Sequence, residues 1–435
     1  MVTLRSYVED RWVEGQGGLS TLVNPATEEP LARAGTSGID FGKSLDHART
    51  RGGPALRELT FAQRGELCRA WSKALHAARD ELSEKAATAL LGGMPILSKP
   101  ATSTALVAHR VAEIGIPLLP KGSFGFLAGS TGDLLDRLGP QDVVAFTGSS
   151  QTANKLREQL SRRGARLNVE ADSLNAAVLG PDVHPGSATW DLFVADVVRD
   201  MTQKTGQKCT AVRRIFATSA QKQEVRDALV ERLSAVRVGD PARTEVTMGP
   251  VSTADQLRDV RAGIGRLAKE AEVVVGGDAP PKALAPDGKG YFVAPTLLVA
   301  RDAQAARAIH EDEVFGPVAT LCIAEADKLA DLVRRGGGGL VCSAFSDDRD
   351  FLRKLVLAVA PYHGRIYLGS EKVAGQTFGP GTVLPQLVHG GPGHAGGGEE
   401  LGGTRGMQLY SQRVALQGDR AILDAVAPML AKQEA

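Results

Sequence analysis

The sequence lacks any apolar run long enough to span a bilayer, and its N-terminus lacks the apolar core of a signal peptide. Arg5, Glu9, Asp10 and Arg11 stand there instead. The four cysteines are widely spaced without a CxxC pair, and the eight histidines include no HExxH pattern. Local spacing therefore gives neither a disulfide framework nor a zinc motif. We expect no metal, no membrane and a reducing cytoplasmic setting.

An excess of charge of one sign is also missing, because 51 Lys and Arg residues face 50 Asp and Glu residues and the net charge is +1. Bulk electrostatics therefore favours no nucleic-acid partner. The 435 residues, 43% of them hydrophobic, suit a globular protein of two or three domains. Glycine is abundant at 50 residues, which predicts tight turns and close backbone contacts.

Short apolar runs alternate with amphipathic segments along most of the chain, which predicts α/β domains with parallel sheets covered by helices. Strands are predicted at 94–99, 123–129, 142–149, 165–172, 176–180 and 212–217. Helices are predicted at 55–90, 103–116, 133–139, 150–164, 187–206 and 221–239. A second α/β unit is expected from about residue 173. The glycine-dense segments are predicted to form a turn within 334–345 and a wrapping loop at 388–403.

An apolar strand, predicted to be buried, ends at Thr147-Gly148-Ser149, and a helix begins immediately; this turn is the first segment with chemical content. Gly148 allows close backbone approach, and the following helix start offers free N–H groups and a hydroxyl, which suits a pyrophosphate. Alternatively, the same sequence forms an ordinary strand-to-helix turn whose helix is capped by Ser149 or Ser150.

Two acidic residues, Glu170 and Asp172, follow an apolar strand. The carboxyl ends of parallel strands face the ligand crevice, and a partly buried carboxylate there can act as a base. For Asp172, local capping or pairing is the preferred interpretation.

Cys209 lies in "MTQKTGQKCTAVRRIF" with four basic residues close by. Cations or a helix terminus would lower the pKa of a nucleophilic thiol. Alternatively, Cys209 is a small buried residue and its basic neighbours form a solvated face.

Together these segments resemble the aldehyde dehydrogenase superfamily, and the resemblance covers most of the chain. It rests on "SKPATSTA", "VVAFTGSS", "VEADSLN", "GQKCTAVRR", "EDEVFGPVA" and "HGGPGHAGGGEELGGTRGMQLY". "VEADSLN" and "LPQLVHGGPG" are similar to enzymes acting on CoA-bound semialdehydes in aerobic aromatic breakdown. The chain most resembles the aldehyde dehydrogenase half of the bifunctional ring-opening protein of phenylacetate degradation. The 3,4-dehydroadipyl-CoA semialdehyde dehydrogenases of benzoyl-CoA breakdown are the alternative.

The resemblance implies a Rossmann-type coenzyme domain at 1–172, an α/β catalytic domain at 173–398, and a C-terminal segment, 399–435, packing back on the coenzyme and oligomerisation region. It implies a homodimer or higher oligomer.

It also implies a nucleophile, Cys209, whose own N–H donates to the oxyanion, and a base, Glu170, that activates water to release the acid. Coenzyme contacts would come from Lys99, Thr102, Gly148, Ser149, Glu313 and Phe315. Thr102 stands where NAD-preferring relatives often carry glutamate, so NADP is expected and NAD remains possible.

The chain departs from the resemblance at one place. Relatives carry a longer segment before the "KPA" strand, including a strand that ends in Asn-Phe-Pro and supplies a second oxyanion donor. Here a segment is missing near 83–92, and no asparagine occurs between Asn24 and Asn154. The coenzyme domain is therefore expected to be incomplete, which leaves two alternatives open: a catalytically impaired nucleotide-binding homologue, and a cysteine hydrolase or CoA-acylating variant.

Overall fold

The computed structural model describes residues 1–78, 84–384, 387–401 and 404–431. The strands before residue 173 are β1 (Val2–Thr3), β2 (Ser6–Val8), β3 (Arg11–Val13), β4 (Ser20–Val23), β5 (Pro30–Ala34), β6 (Ile96–Ser98), β7 (Phe124–Phe126), β8 (Val143–Thr147) and β9 (Arg166–Glu170). Those after it are β10 (Ala176–Leu179), β11 (Arg214–Ala217), β12 (Ala271–Val275), β13 (Thr296–Ala300), β14 (Val318–Ile323), β15 (Gly339–Phe345), β16 (His363–Gly369), β17 (His389–Gly390) and β18 (Glu399–Leu401).

The α-helices alternate with these strands. They are α1 (Phe41–His47), α2 (Gly53–Arg57), α3 (Phe61–Ala78), α4 (Glu84–Leu91), α5 (Ala105–Gly115), α6 (Ser150–Ser161), α7 (Ala188–Thr202), α8 (Lys222–Ser234), α9 (Ala254–Leu267), α10 (Ala308–Glu311), α11 (Leu329–Arg334), α12 (Arg349–Val359), α13 (Thr404–Gln408) and α14 (Arg420–Ala431). None of these helices has the length and apolar character that crossing a bilayer requires.

A seven-stranded sheet in the order β12-β13-β14-β11-β10-β15-β16 forms the centre of the second half. All neighbouring strands are parallel except β12, which pairs antiparallel with β13 at one edge. Alternate residues of β10 enter different clusters: Ala176 and Val178 pack on one face, and Ala177 and Leu179 on the other. This two-sided burial is what a parallel sheet covered by helices requires, and the predicted α/β layers are confirmed here.

The strands of the first half do not join into one sheet. β6 and β7 pair in parallel within a four-stranded sheet of order β3-β2-β7-β6, while β8 and β9 form a separate parallel pair. The apolar run of β8 predicted a buried strand, but each residue of Val143–Thr147 is half-buried or exposed. That expectation was wrong because, among the described residues, no strand other than β9 pairs with β8.

Several predicted elements have different ends in the structure. The helix predicted at 55–90 is divided into α2, α3 and α4, with 79–83 outside the described residues. The helix predicted at 187–206 ends as α7 at Thr202, because Lys204 and Thr205 adopt left-handed φ values of 52° and 56°. The wrapping loop at 388–403 contains β17 and β18 in addition to turns.

Contacts connect the two halves of the chain. Ala26 shares a small apolar cluster with Phe292, and Arg166 Nη1 donates to Leu409 O at 2.7 Å. Leu409 therefore lies beside the start of β9. The domain boundaries at 172 and 398, and the missing segment near 83–92, stay predictions.

A buried cation supports the centre of the large sheet. Arg214, on β11, is 1% exposed and donates to three backbone carbonyls, those of Leu174, Leu332 and Val333. Burial lowers its pKa to about 10, so it stays charged at neutral pH. Its Nη1 also donates to His310 Nδ1 at 3.0 Å. The neighbouring imidazole must therefore be neutral at Nδ1.

His310 is held in that neutral state. It is 1% exposed, and its Nε2–H donates to Ala303 O at 2.8 Å. Burial, and then the positive charge of Arg214, lower the pKa of His310 to about 4. An unfolded histidine has a pKa of about 6.5, so between these values the unfolded chain binds the extra proton. The stability that His310 contributes is therefore fully present above about pH 6.5 and is lost as the pH falls toward 4.

We predict that His310→Gln flattens the acid limb of the stability curve. The wild-type chain should lose on the order of 3 kcal/mol of unfolding free energy between pH 7 and pH 4 through this residue. Urea titrations across that range measure the slope. His76→Gln, at an exposed histidine, is the control and should keep the wild-type slope. An unchanged slope in His310→Gln would show that His310 is not the titrating group.

Candidate active site

Cys209 follows a tight backbone reversal at the end of α7. Thr205 and Gly206 have positive φ values, and Thr205 Oγ1 donates to Gly249 O at 3.0 Å. A Cβ at Gly206 would lie 2.1 Å from Gly316 O, so only glycine fits there. The amide of Asn175 donates to Cys209 O at 2.8 Å. These contacts fix the backbone of the cysteine beside the start of β10.

Arg213 ties the same loop to the segment that precedes β14. It is 5% exposed, and its Nη2 donates to Gly206 O at 3.0 Å while Nη1 donates to Gly316 O at 2.9 Å. Its Nε donates to Glu313 Oε1 at 3.1 Å. The side chain therefore links the two ends of the loop and pairs with a buried carboxylate.

The basic residues around Cys209 thus have structural partners. Lys208 Nζ donates to Asp200 Oδ1 at 2.6 Å, and Arg213 and Arg214 are buried in the contacts described above. The alternative interpretation, in which the basic neighbours of Cys209 form a solvated face, was therefore wrong for Lys208, Arg213 and Arg214. Cys209 itself is half-buried and packs on Leu340, Val341 and Ala395.

Glu170 is the last residue of β9 and is 2% exposed. Its backbone O accepts from the N–H of Gly148, which joins the ends of β8 and β9. The prediction that this carboxylate lies at the strand end is confirmed by the β9 boundary. Asp172 Oδ2 accepts from Ser150 N at 3.1 Å, as local capping predicts.

His389 is a third site residue, and the sequence interpretation did not single it out. It begins β17 and is 8% exposed. Its Nε2 lies 3.0 Å from Glu170 Oε2 and 3.6 Å from Cys209 Sγ. The sequence "VHGG" within a glycine-dense segment was the only local indication of this residue. Its contacts with Glu170 and Cys209 join residues far apart in the chain, so the sequence did not reveal them.

The three side chains meet closely. The Cys209 sulfur, a Glu170 oxygen and a His389 ring nitrogen all lie within 4.8 Å of one another. A thiol, an imidazole and a carboxylate at such separations can exchange protons and support nucleophilic attack.

Glycines let the segment after β17 lie against β9. A Cβ at Gly396 would lie 2.5 Å from Val169 O, and one at Gly398 would lie 2.4 Å from the same oxygen. Gly398 N donates to that carbonyl at 3.0 Å. Close backbone approach of this kind excludes any larger residue, and it brings His389 to the end of β9.

Arg365, on β16, is a second residue that the sequence interpretation missed. Its register partner is Val341, which packs on Cys209. Burial lowers the pKa of Arg365, and an electrostatic interaction with Cys209 opposes that shift. Its Nη2 donates to Pro380 O at 2.9 Å, while Nη1 is buried without a hydrogen bond to the described residues.

The predicted pyrophosphate turn has the expected local geometry. Gly148 follows β8, and Ser149 caps the twelve-residue helix α6, its Oγ accepting from Thr152 N at 3.3 Å. Asp172 occupies the N–H of Ser150. Because Thr152 N also has a partner, a bound phosphate would have to displace one of these contacts or use the N–H of Gln151.

The other predicted coenzyme residues are spread over two regions. Lys99 follows β6 and is half-buried, which lowers its pKa, and Thr102 begins a short 3₁₀ turn. Glu313 is buried with Arg213, and its Oε2 accepts from Ser173 N. Phe315 is 37% exposed and lies beside the Arg213 guanidinium. These coenzyme roles stay predictions.

The profile of the aldehyde dehydrogenase family matches residues 82–413, and the chain therefore belongs to that family. The chain is 36% identical to the 3,4-dehydroadipyl-CoA semialdehyde dehydrogenase of Aromatoleum evansii, over 89% of this chain and 93% of that protein. It is 40% identical to Protein MaoC of Klebsiella aerogenes, over 41% of this chain and 52% of that protein. The resemblance given by the sequence motifs is confirmed.

Solved structures have the same fold. A betaine aldehyde dehydrogenase from Staphylococcus aureus matches with a TM-score of 0.83 at 20% identity, covering 96% of this chain and 97% of that chain. Lactaldehyde dehydrogenase from Escherichia coli matches with a TM-score of 0.81 at 22% identity, covering 96% and 100%. The alignment with the Aromatoleum enzyme spans 479 residues, more than the 435 of this chain, so it contains gaps opposite this chain.

We predict that Arg213→Met destabilises the chain by about 3–5 kcal/mol, because it leaves the Glu313 carboxylate buried without its cation. Urea unfolding measures the loss. The double variant Arg213→Met/Glu313→Gln removes the unpaired charge and should recover part of it. If the double variant is no more stable than the single one, the buried pair is not the source of the effect.

Proposed function

We propose that this chain oxidises the aldehyde group of a CoA-linked semialdehyde to a carboxylic acid, with NADP as the hydride acceptor. The observation that carries the chemistry is the meeting of Cys209, Glu170 and His389 within 4.8 Å. The identity with the Aromatoleum enzyme over 93% of its length supports a CoA-linked substrate.

Cys209 is the proposed nucleophile. Its thiolate attacks the aldehyde carbon and forms a thiohemiacetal, whose oxyanion accepts from the backbone N–H of Cys209. A nicotinamide coenzyme, when bound, would accept the hydride that leaves this carbon. The acyl group then remains attached to Cys209 as a thioester. Glu170 then takes a proton from a water molecule, which attacks the thioester and releases the acid and the thiol.

His389 and Arg365 would assist the thiolate. The His389 imidazole lies within reach of both the thiol and the carboxylate, so it can exchange a proton with either. Arg365 interacts electrostatically with Cys209, and a cation near a thiol generally favours its reactive thiolate form. We infer that this cation partly takes the place of the second oxyanion donor, which the sequence is expected to lack.

The coenzyme would be held by the residues around two strand ends. Ser149 offers a hydroxyl and a helix N-terminus to phosphate, and Lys99 offers an ammonium group after β6. Thr102 can donate to a 2′-phosphate, where a carboxylate would repel it, which supports NADP over NAD. Glu313 and Phe315 would lie at the nicotinamide ribose.

Two substrates of aromatic breakdown fit the proposal. One is the 3,4-dehydroadipyl-CoA semialdehyde named for the Aromatoleum relative. The other is the 3-oxo-5,6-dehydrosuberyl-CoA semialdehyde of phenylacetate degradation, which the motif resemblance suggests. Comparing turnover of the two separates them.

A catalytically impaired, nucleotide-binding homologue is a second candidate. The absence of a pairing strand beside β8 in the described part of the chain favours it, since β8 would adjoin the coenzyme. Such a protein would bind NADP in calorimetry and turn over no aldehyde.

We predict that NADPH forms when the chain is given either CoA-linked semialdehyde, and that Cys209→Ala abolishes this formation. Cys342→Ala, at a fully buried cysteine of β15, is the matched control and should keep turnover in the fraction that folds. Absorbance at the NADPH band and product mass provide the readouts.

Product identity distinguishes the remaining outcomes. The acid should appear with or without free CoA. A product that requires free CoA and carries a second thioester would identify an acylating enzyme. Equal turnover with and without the Cys209 thiol would overturn the mechanism.

We also predict that Thr102→Glu shifts coenzyme preference from NADP toward NAD by at least about tenfold in kcat/KM, because a carboxylate repels the 2′-phosphate and accepts from a ribose hydroxyl. Thr104→Glu, two residues further along the same turn, is the control. If Thr102→Glu leaves the ratio unchanged, Thr102 does not contact the ribose.

A further inference from the structure

The three side chains at the end of β9 are also a set of metal donors. Cys209 offers sulfur, His389 an imidazole nitrogen and Glu170 a carboxylate oxygen, and these are the ligand types that zinc takes in proteins. Because the donors come from three distant segments, the absence of CxxC and HExxH spacing did not reveal them.

The separations suit a tetrahedral ion. Zinc bonds of about 2.0 Å to nitrogen or oxygen and about 2.3 Å to sulfur place neighbouring donors about 3.3–3.6 Å apart. The Sγ–Nε2 distance is 3.6 Å and the Nε2–Oε2 distance is 3.0 Å. The third pair, the Cys209 sulfur and a Glu170 oxygen, lies within 4.8 Å. Side-chain rotations that shorten this separation would place all three donors around one tetrahedral ion. The fourth position would remain for water.

Charge and burial favour a zinc ion that binds reversibly over one that is bound permanently. A thiolate and a buried carboxylate offset the charge of a divalent ion, while the nearby Arg365 opposes it. His389 Nδ1 is buried without a hydrogen bond to the described residues. Zinc at Nε2 would require a proton at Nδ1, and a site lacking an acceptor for that proton binds metal about 10–100-fold more weakly.

We propose that Zn²⁺ binds Cys209, His389 and Glu170 in the substrate-free protein and blocks the nucleophile reversibly. Binding forms a Zn–S bond and releases the thiol proton to solvent, and nothing is oxidised or reduced. The inference uses the side chains of the proposed function, but it requires no turnover.

Zinc binding can be measured without any substrate. We expect Zn²⁺ to protect Cys209 from iodoacetamide, as read by peptide mass, and a chelator to restore alkylation. Co²⁺ should give the visible bands of a tetrahedral ion and a near-ultraviolet thiolate charge-transfer band. In competition with a chromophoric chelator, Cys209→Ser, His389→Gln and Glu170→Gln should each weaken Zn²⁺ binding at least tenfold.

Matched controls lie elsewhere in the chain. Cys68→Ser, at a half-buried cysteine of α3, and His394→Gln, at an exposed histidine of the same glycine-rich segment, should bind Zn²⁺ like the wild type. Wild-type protein that gains no protection, or His389→Gln that binds as tightly as wild type, would refute the proposal. Aldehyde turnover in chelator-treated protein tests the proposed function separately.

Discussion

Close backbone contact between the glycine-rich segment 389–398 and the end of β9 is the constraint on which the site depends. Gly396 and Gly398 both approach the carbonyl of Val169 at distances that no side chain allows. Gly390 and Gly364 approach each other in the same way, since a Cβ at Gly364 would lie 1.7 Å from Gly390 O. Only this packing places the His389 imidazole between a thiol from one loop and a carboxylate from a strand end.

The rest of the catalytic half holds Cys209 against that contact. Arg213 spans the cysteine loop and pairs with Glu313. Arg214, the next residue, donates to the carbonyls of Leu174 and Val333 and so links β11 to two other segments. Two adjacent arginines that resemble a solvated patch in the sequence are thus buried supports. A buried guanidinium that donates to several backbone carbonyls fixes backbone geometry, and the reactive thiol is positioned as a consequence.

Local sequence predicted a large part of this structure. Alternating strands and helices predicted the α/β layers, and the ends of strands predicted where Glu170 and the Ser149 cap would lie. His389 and the roles of Arg213 and Arg214 could not be predicted, because they depend on contacts between segments more than 90 residues apart. Arg365 was missed because its relation to Cys209 arises from the pairing of β15 with β16, where its partner Val341 packs on Cys209. The apolar sequence of β8 predicted a buried strand. Whether a strand is buried depends on the segments that pack against it, and the sequence of the strand alone does not show which segments those are.

The central claim is that Cys209 carries the acyl group and Glu170 releases it. The most direct measurement is the intact and peptide mass of Glu170→Gln, quenched in acid after mixing with NADP and a CoA-linked semialdehyde. We predict a thioester adduct on the Cys209 peptide, which forms together with a single equivalent of NADPH and is hydrolysed slowly. NADPH formation without any adduct on Cys209 would contradict it.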